Sequence, residues 1–159
     1  MTYHLPAEAC ALVSSATIDT YAPGAKCGRT ERPRAPRDVT QKISSHWRTG
    51  SASTESPRIW VAVVLSDIAP GRYAATKDEE VDRFSTLYTV VTSTPVDLGE
   101  QGYLISGTSR IEAGLADAQI TARLGNAVID VYFQGYDSTA VSEAAAKAVV
   151  ADIVNNLAR

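Results

Sequence analysis

The segment RLGNAVIDVYFQG, residues 123–135, constrains this chain more than any other. If Gly125 and Asn126 form a two-residue turn, Leu124 opposes Ala127, Ala122 opposes Ile129 and Ile120 opposes Val131. Arg123 then opposes Val128, Thr121 opposes Asp130, and Gln119 and Tyr132 join that second face. One face is apolar throughout and the other largely polar, a sorting that a one-residue slip would destroy. Gly-Asn also supplies the positive φ angles of tight hairpins. A phosphate-cradling loop would instead need several glycines between a strand and a helix. Here a single glycine is followed by a strand, so the segment is expected to turn the chain, and any binding belongs to the side chains of its strands.

The rest of the chain supplies partners for that hairpin. RIWVAVVLSDIA places Ile59, Val61, Val63 and Leu65 on one side and Trp60, Ala62 and Val64 on the other. A strand apolar on both faces is expected near the centre of a sheet, covered on both sides. VTQKISSHW puts Val39, Ile43 and Trp47 on one face and Lys42 and His46 on the other, and pairs with it as a hairpin with a long loop. GYLISGTSRIEAG can add another strand and a turn. Helical signals occur four times. Pro6-Ala7-Glu8 opens a short N-terminal helix burying Ala9, Leu12 and Val13, and Ser14 or Ser15 caps a second that Pro23-Gly24 stops. Val81, Phe84, Leu87, Tyr88 and Val91 predict a helix over 77–90, with Asp78, Glu79 and Glu80 at its positive end. Val141, Ala145, Val149, Ile153 and Leu157, widened by Val150 and Val154, predict a C-terminal helix capped from Asp137-Ser138-Thr139. The expectation is a single α+β domain over 1–159: an antiparallel sheet packed with N-terminal, middle and C-terminal helices.

Bulk properties narrow the function less. A net charge of −3 gives no nucleic-acid footprint. The chain has 11 arginines against 4 lysines, and 24 alanines, the bias of a GC-rich genome. It has no apolar run long enough to cross a membrane as a helix. MTYHLPAEAC lacks the basic and apolar regions of a signal peptide. Either the protein is cytosolic, or Met1 stands where a signal or anchor was removed. Cys10 and Cys27 bear on that choice. A bridge between them would stabilise by about 3 kcal/mol and place the protein outside the reducing cytosol. The alternative is two unpaired thiols, with Cys10 buried beside Leu12.

Candidate sites are few. The cysteines and histidines lack the close paired spacing of a metal site, and no metal or cofactor is expected. There is no Gly-x-Ser-x-Gly elbow. His4 falls in a mobile end, and His46 on the polar side of a strand. A hydrolase would have to build its site from His46 and Asp130, with Glu112 or Asp117 as a distant second carboxylate. The basic loop over 26–37, with Arg29, Arg32, Arg34 and Arg37, could meet an anionic surface, or simply be solvated. Trp47 and Trp60 read as core residues. The better binding candidate is the polar side of the hairpin: Arg123, Asp130, Tyr132 and Gln134, an aromatic plate among mixed hydrogen-bonding groups. The competing reading is an ordinary sheet face, exposed or covered by a helix.

LPAEACALV, IWVAVVL, VDLGEQGYLI, RLGNAVIDVYFQG and the alanine-rich closing helix together carry a family resemblance. The chain resembles a loose group of exported actinobacterial domains found in small lipoproteins and membrane-anchored proteins. The extracytoplasmic sensor domain of a mycobacterial Ser/Thr protein kinase is similar in outline. The resemblance covers nearly the whole chain and implies an α+β domain outside the cytoplasmic membrane. It implies no reaction. In many relatives a second cysteine falls beside a tryptophan on the first strand. Here Trp47 follows Ser45 and His46 and Cys27 lies upstream, so that bridge does not carry over unchanged. The functional expectation is a non-enzymatic, extracytoplasmic binding domain, with a small molecule, a cell-envelope component or a protein as partner. A removed N-terminal anchor would tether it to the membrane. The alternatives are an assembly module pairing through a sheet edge and an atypical hydrolase.

Overall fold

A computed structural model describes residues 1–29, 39–50 and 55–157. After a short 3-10 turn at Ala9–Leu12, the elements are α1 Ser15–Tyr21, β1 Lys26–Arg29, β2 Val39–Arg48, β3 Arg58–Ser66 and α2 Ala69–Leu87. They continue with β4 Tyr88–Pro95, β5 Gln101–Ser109, β6 Ala116–Leu124, β7 Ala127–Gly135 and α3 Thr139–Asn156. The strands form one seven-stranded sheet in the order β1-β2-β3-β7-β6-β5-β4, every neighbouring pair antiparallel.

The hairpin register is the one the sequence dictates, from Leu124 opposite Ala127 through Thr121 opposite Asp130 to Ile120 opposite Val131. It extends to Gln119 opposite Tyr132 and Asp117 opposite Gln134. The turn itself differs in detail. Gly125 has φ 57°, but no non-glycine residue described has a positive φ, so only the first turn position is left-handed. That is the pattern of a II′ turn, which needs glycine only there. Asn126 serves the N-terminus instead: its Oδ1 accepts from the Tyr3 backbone N–H at 2.7 Å and its Nδ2 donates to the Tyr3 carbonyl at 3.3 Å. Tyr3 is buried, so the first residues are docked rather than mobile.

One sheet face carries the main core. Ile59, Val61, Val63 and Leu65 of β3 meet Ile120, Ile129 and Val131, and Ala145, Ala146, Val149, Val150 and Ile153 of α3 pack onto them. Fully burying each aliphatic side chain of this set contributes about 1.5–3 kcal/mol. α3 turns slightly away from the stripe read in the sequence. Val141 is exposed, and Ser142 takes the inner position, donating to the Ala116 carbonyl at 2.5 Å. The 3-10 turn and α1 complete this layer. The side chain of Ser14 caps α1 and also donates to Asp152 of α3 at 2.7 Å.

Three expectations are corrected. The middle helix begins at Ala69 rather than near Lys77, because Pro70 sits in its first turn, where no N–H is needed. Asp78, Glu79 and Glu80 therefore lie mid-helix, away from its positive end. The helix stops at Leu87, because Thr89, Val90, Val91 and Thr92 are β-branched and extend as the edge strand β4. Lys26–Arg29, read as loop, is the other edge strand. Arg32, Arg34 and Arg37 of the basic loop lie outside the described residues.

Cys10 and Cys27 are bridged. Cys27 faces Trp47 across the β1–β2 pair. The bridge thus reaches the neighbourhood of the tryptophan from the adjacent strand, although no cysteine precedes Trp47 in sequence.

Candidate functional site

Among the described residues, the second sheet face is covered by α2 alone. A seven-stranded sheet spans roughly 30 Å and a helix with side chains about 10 Å, so one helix covers only part of the face. α2 lies over β4, β5, β6 and β7 and just reaches β3. No described helix lies over β1, β2 and the outer side of β3 on this face.

Strand alternation fixes what this face presents. His46, Trp60 and Tyr132 stand side by side in one cross-strand row. The Trp60 and Tyr132 ring centroids are 5.2 Å apart, tilted by 44°. The His46 ring lies over Gly28, where a Cβ would come within 2.7 Å of its Cε1. Glycine is what lets that imidazole lie flat on β1. All three rings are half-buried. One step toward the hairpin tip, Ser44, Ala62 and Asp130 form the next row, followed by Lys42, Val64 and Val128. Where this part of the sheet meets α2, a cavity of about 140 Å³ is lined by Lys42, Ala62, Val64, Arg72, Thr76, Val128 and Asp130.

Beneath α2 the polar hairpin face is stitched into a network. Arg83 pairs with Glu80 at 2.8 Å and donates through Nη2 to Gln119 Oε1 at 2.5 Å. Gln119 Nε2 donates to Asp130 Oδ1 at 2.8 Å, and Thr121 Oγ1 donates to the same oxygen at 3.2 Å. The guanidinium of Arg83 lies 4.9 Å from the centroid of the Tyr132 ring. The Tyr132 hydroxyl donates to Asp117, as does that of Tyr88 at 2.5 Å. Asp117 also accepts from the Gly135 backbone N–H at 3.3 Å.

Burial dominates the electrostatics. Enclosure of its carboxyl, with the negative charge of Glu80 adding to it, raises Asp130 from the usual carboxylate range to about 7. The hydrogen bonds from Gln119 and Thr121 act the other way, and so does Arg83, without cancelling the rise. Burial also raises Asp117 against the hydrogen bonds of Tyr132, Tyr88 and Gly135. Burial and the Asp117 carboxylate hold the Tyr132 phenol far above its ordinary range, so it acts as a donor and not as a base.

The expected binding residues are thus distributed over the face. Asp130 lines the cavity, and Tyr132 joins the aromatic row beside it. Gln134 lies one row further, between Arg58 and Asp117 in register. Arg123 is near the hairpin tip and is engaged there, paired with Glu100 at 2.7 Å and donating to Gln101 Oε1 at 2.9 Å. His46 and Asp130 share the face, but β3 runs between their strands. Two strand spacings put them roughly 10 Å apart, too far for a hydrogen-bonded acid–base pair. Trp60, Lys42, Arg72 and Arg83 were not singled out as site residues. Trp60 and Lys42 were findable, because alternation already placed them opposite the core positions of their strands. Arg72 was hidden by the misplaced start of α2, whereas Arg83 lies within the expected helix and only the tertiary packing sets it against Gln119 and Tyr132.

No protein-family model matches the chain, and no curated protein sequence does. Among solved structures, the extracellular domain of PknH from Mycobacterium tuberculosis is similar, with a TM-score of 0.57 and 15% identity. The likeness covers 96% of this chain and 99% of that one, so the two share a fold over essentially their whole length.

Proposed function

We propose that this chain is a non-enzymatic, extracytoplasmic binding domain of the sensor type, taking its ligand or partner on the open part of the sheet. One observation carries the reading. Among the described residues a single helix lies on this face, and His46, Trp60 and Lys42 stand half-buried there, next to a cavity whose lining includes a carboxyl and two cations. Sites of this kind combine apolar walls with a few convergent polar groups. The Cys10–Cys27 bridge supports an oxidising compartment, and the fold shared with an extracellular domain agrees with it. An N-terminal anchor would hold such a domain at the membrane.

Amide chemical-shift mapping with a mixed small-molecule library tests the reading. Perturbations should cluster on Lys42, Trp60, Arg72 and Asp130. Clustering elsewhere, or none from any compound, rejects it.

One observation favours a second reading, assembly through a sheet edge. β4 carries no charged residue, and exposes Val90 and Val91. Its bulge at Val91 and its terminal Pro95 are features that blunt an edge. Sedimentation over a wide concentration range separates the two: dimerisation abolished by Val91→Lys supports assembly, and a strict monomer supports ligand binding.

A further inference from the structure

We propose that a second cavity, on the α3 side of the sheet, binds a small primary amine, with Glu55 and Asp137 as counter-charges to its ammonium and Tyr21, Phe133 and Val141 against its apolar body. The inference goes beyond the reading above. It concerns the other face of the sheet, and neither depends on the other.

The cavity has a volume of about 400 Å³, within the range of small-molecule sites. Four parts of the chain build it. The end of α1 contributes Tyr21, the approach to β3 Glu55, the end of β7 Phe133, and the start of α3, with the residues leading into it, Tyr136, Asp137 and Val141. The exposure of Val141 now has a place in the fold. Ser142 takes the inner position of α3 because Gly135 makes room for it: a Cβ there would fall 2.4 Å from the Ser142 Oγ. With Ser142 inside, Val141 turns out to the cavity, where it presents an apolar surface beside the buried Phe133.

Charge selects the ligand. Two carboxylates and no cation line the cavity. Among the described residues neither Glu55 nor Asp137 has an ion-pair partner. Residues 51–54, which precede Glu55, are Ser-Ala-Ser-Thr and bring no charge of their own. Tyr136 registers the sign of the field. Burial holds its phenol above the ordinary range, and Glu112, Asp117 and Glu55 add to the rise while Arg58 opposes it. The start of α3 brings a positive helix end to the same rim, worth roughly half a charge. Ser138 already accepts from the Val141 N–H there, and two full carboxylates outweigh the remainder.

The form of the cation follows from the other groups. No cluster of three or more metal-ligating side chains exists among the described residues, so a bare metal ion lacks a cage. A primary ammonium carries three donors, and the carboxylates and the phenols of Tyr21 and Tyr136 supply acceptors. An apolar body on the amine uses the remaining wall.

The test follows backbone amide shifts during titration with three probes of similar skeleton: phenethylamine, which is protonated at neutral pH, neutral phenethyl alcohol and anionic phenylacetate. The amine should shift the amides of Tyr21, Tyr136 and Val141 saturably. The alcohol should bind at least about fivefold more weakly, and phenylacetate should give no saturable shift. Glu55→Gln and Asp137→Asn should each weaken the amine by about two- to fivefold, the range of a solvent-screened charge contact, and leave the alcohol unchanged. Should Asp137→Asn disturb the start of α3, Glu55→Gln, in an exposed turn, carries the same test. Val141→Lys sets a like charge at the rim and should abolish binding of the amine. Equal binding of amine and alcohol, or amine binding unchanged in both carboxylate variants, overturns the proposal. So does the absence of any saturable shift with the amine. Shifts confined to Lys42, Trp60, Arg72 and Asp130 overturn it as well, and leave the reading above standing.

Discussion

At the scale of single residues, Asp130 is where the site is most open to measurement. Its folded-state carboxyl titrates near 7, above the value of about 4 expected in the unfolded chain. Between those values the native state holds the proton more tightly, so raising the pH through this window removes stability. Below it the contribution is fully present, and above about 7 the loss is complete. Asp130→Asn keeps an acceptor for Gln119 and Thr121 but does not ionise. The melting temperature of the variant relative to the parent should therefore rise as the pH goes from about 4 to about 7 and then level off. A difference that is flat with pH, or of opposite sign, would falsify this account of the buried carboxyl.

At the scale of elements, the hairpin shows what sequence can and cannot specify. Its register was legible because every residue on one face had to be apolar, and a two-residue turn leaves no other alignment. The task given to Asn126 was not legible, because its partner Tyr3 is 123 residues away and no local rule links them. Asn126→Ala should leave the register intact but release the N-terminal segment, costing about 1–2 kcal/mol for two lost hydrogen bonds. Hydrogen exchange should quicken at Tyr3 and stay slow in β6 and β7. α2 failed the other way. Tyr88 and Val91 happen to continue a helical spacing although their neighbours are strand formers, and Pro70-Gly71 looks like a turn although proline fits a first helical turn. The end was missed because helical spacing outweighed β-propensity, and the start because a turn signal outweighed the fit of proline to a first helical turn. The misplaced start mattered because Arg72 lines the cavity.

At the scale of the whole molecule, the site follows from an imbalance between layers. One face is sealed by α3, α1 and the 3-10 turn; among the described residues, the other has only α2 for seven strands. Composition does not reveal this, and helix positions in sequence do so only once the strand order is known, because β7 inserts between β3 and β6. The edge of the open half depends on β1, a strand of four residues joined to the 3-10 turn by the Cys10–Cys27 bridge across a separation of 17 residues. Reduction should lower stability by about 3 kcal/mol. Its first structural effect should be local, with early proteolysis within residues 1–29 while β5, β6 and β7 remain protected. Simultaneous loss of all strands would show instead that the bridge holds the entire sheet.

The Tyr3–Asn126 contact and the disulfide act in series along the N-terminal segment, and this gives the molecule a mechanical character. A pull applied at the start of the chain first meets two hydrogen bonds at the hairpin tip, which can part and re-form. The slack this releases ends at Cys10, where a covalent bond passes the load to β1 and so to the sheet edge. A domain tethered from that end would yield elastically over a short extension and then stiffen, with His46, the first ring of the aromatic row, on the strand next to the one under tension.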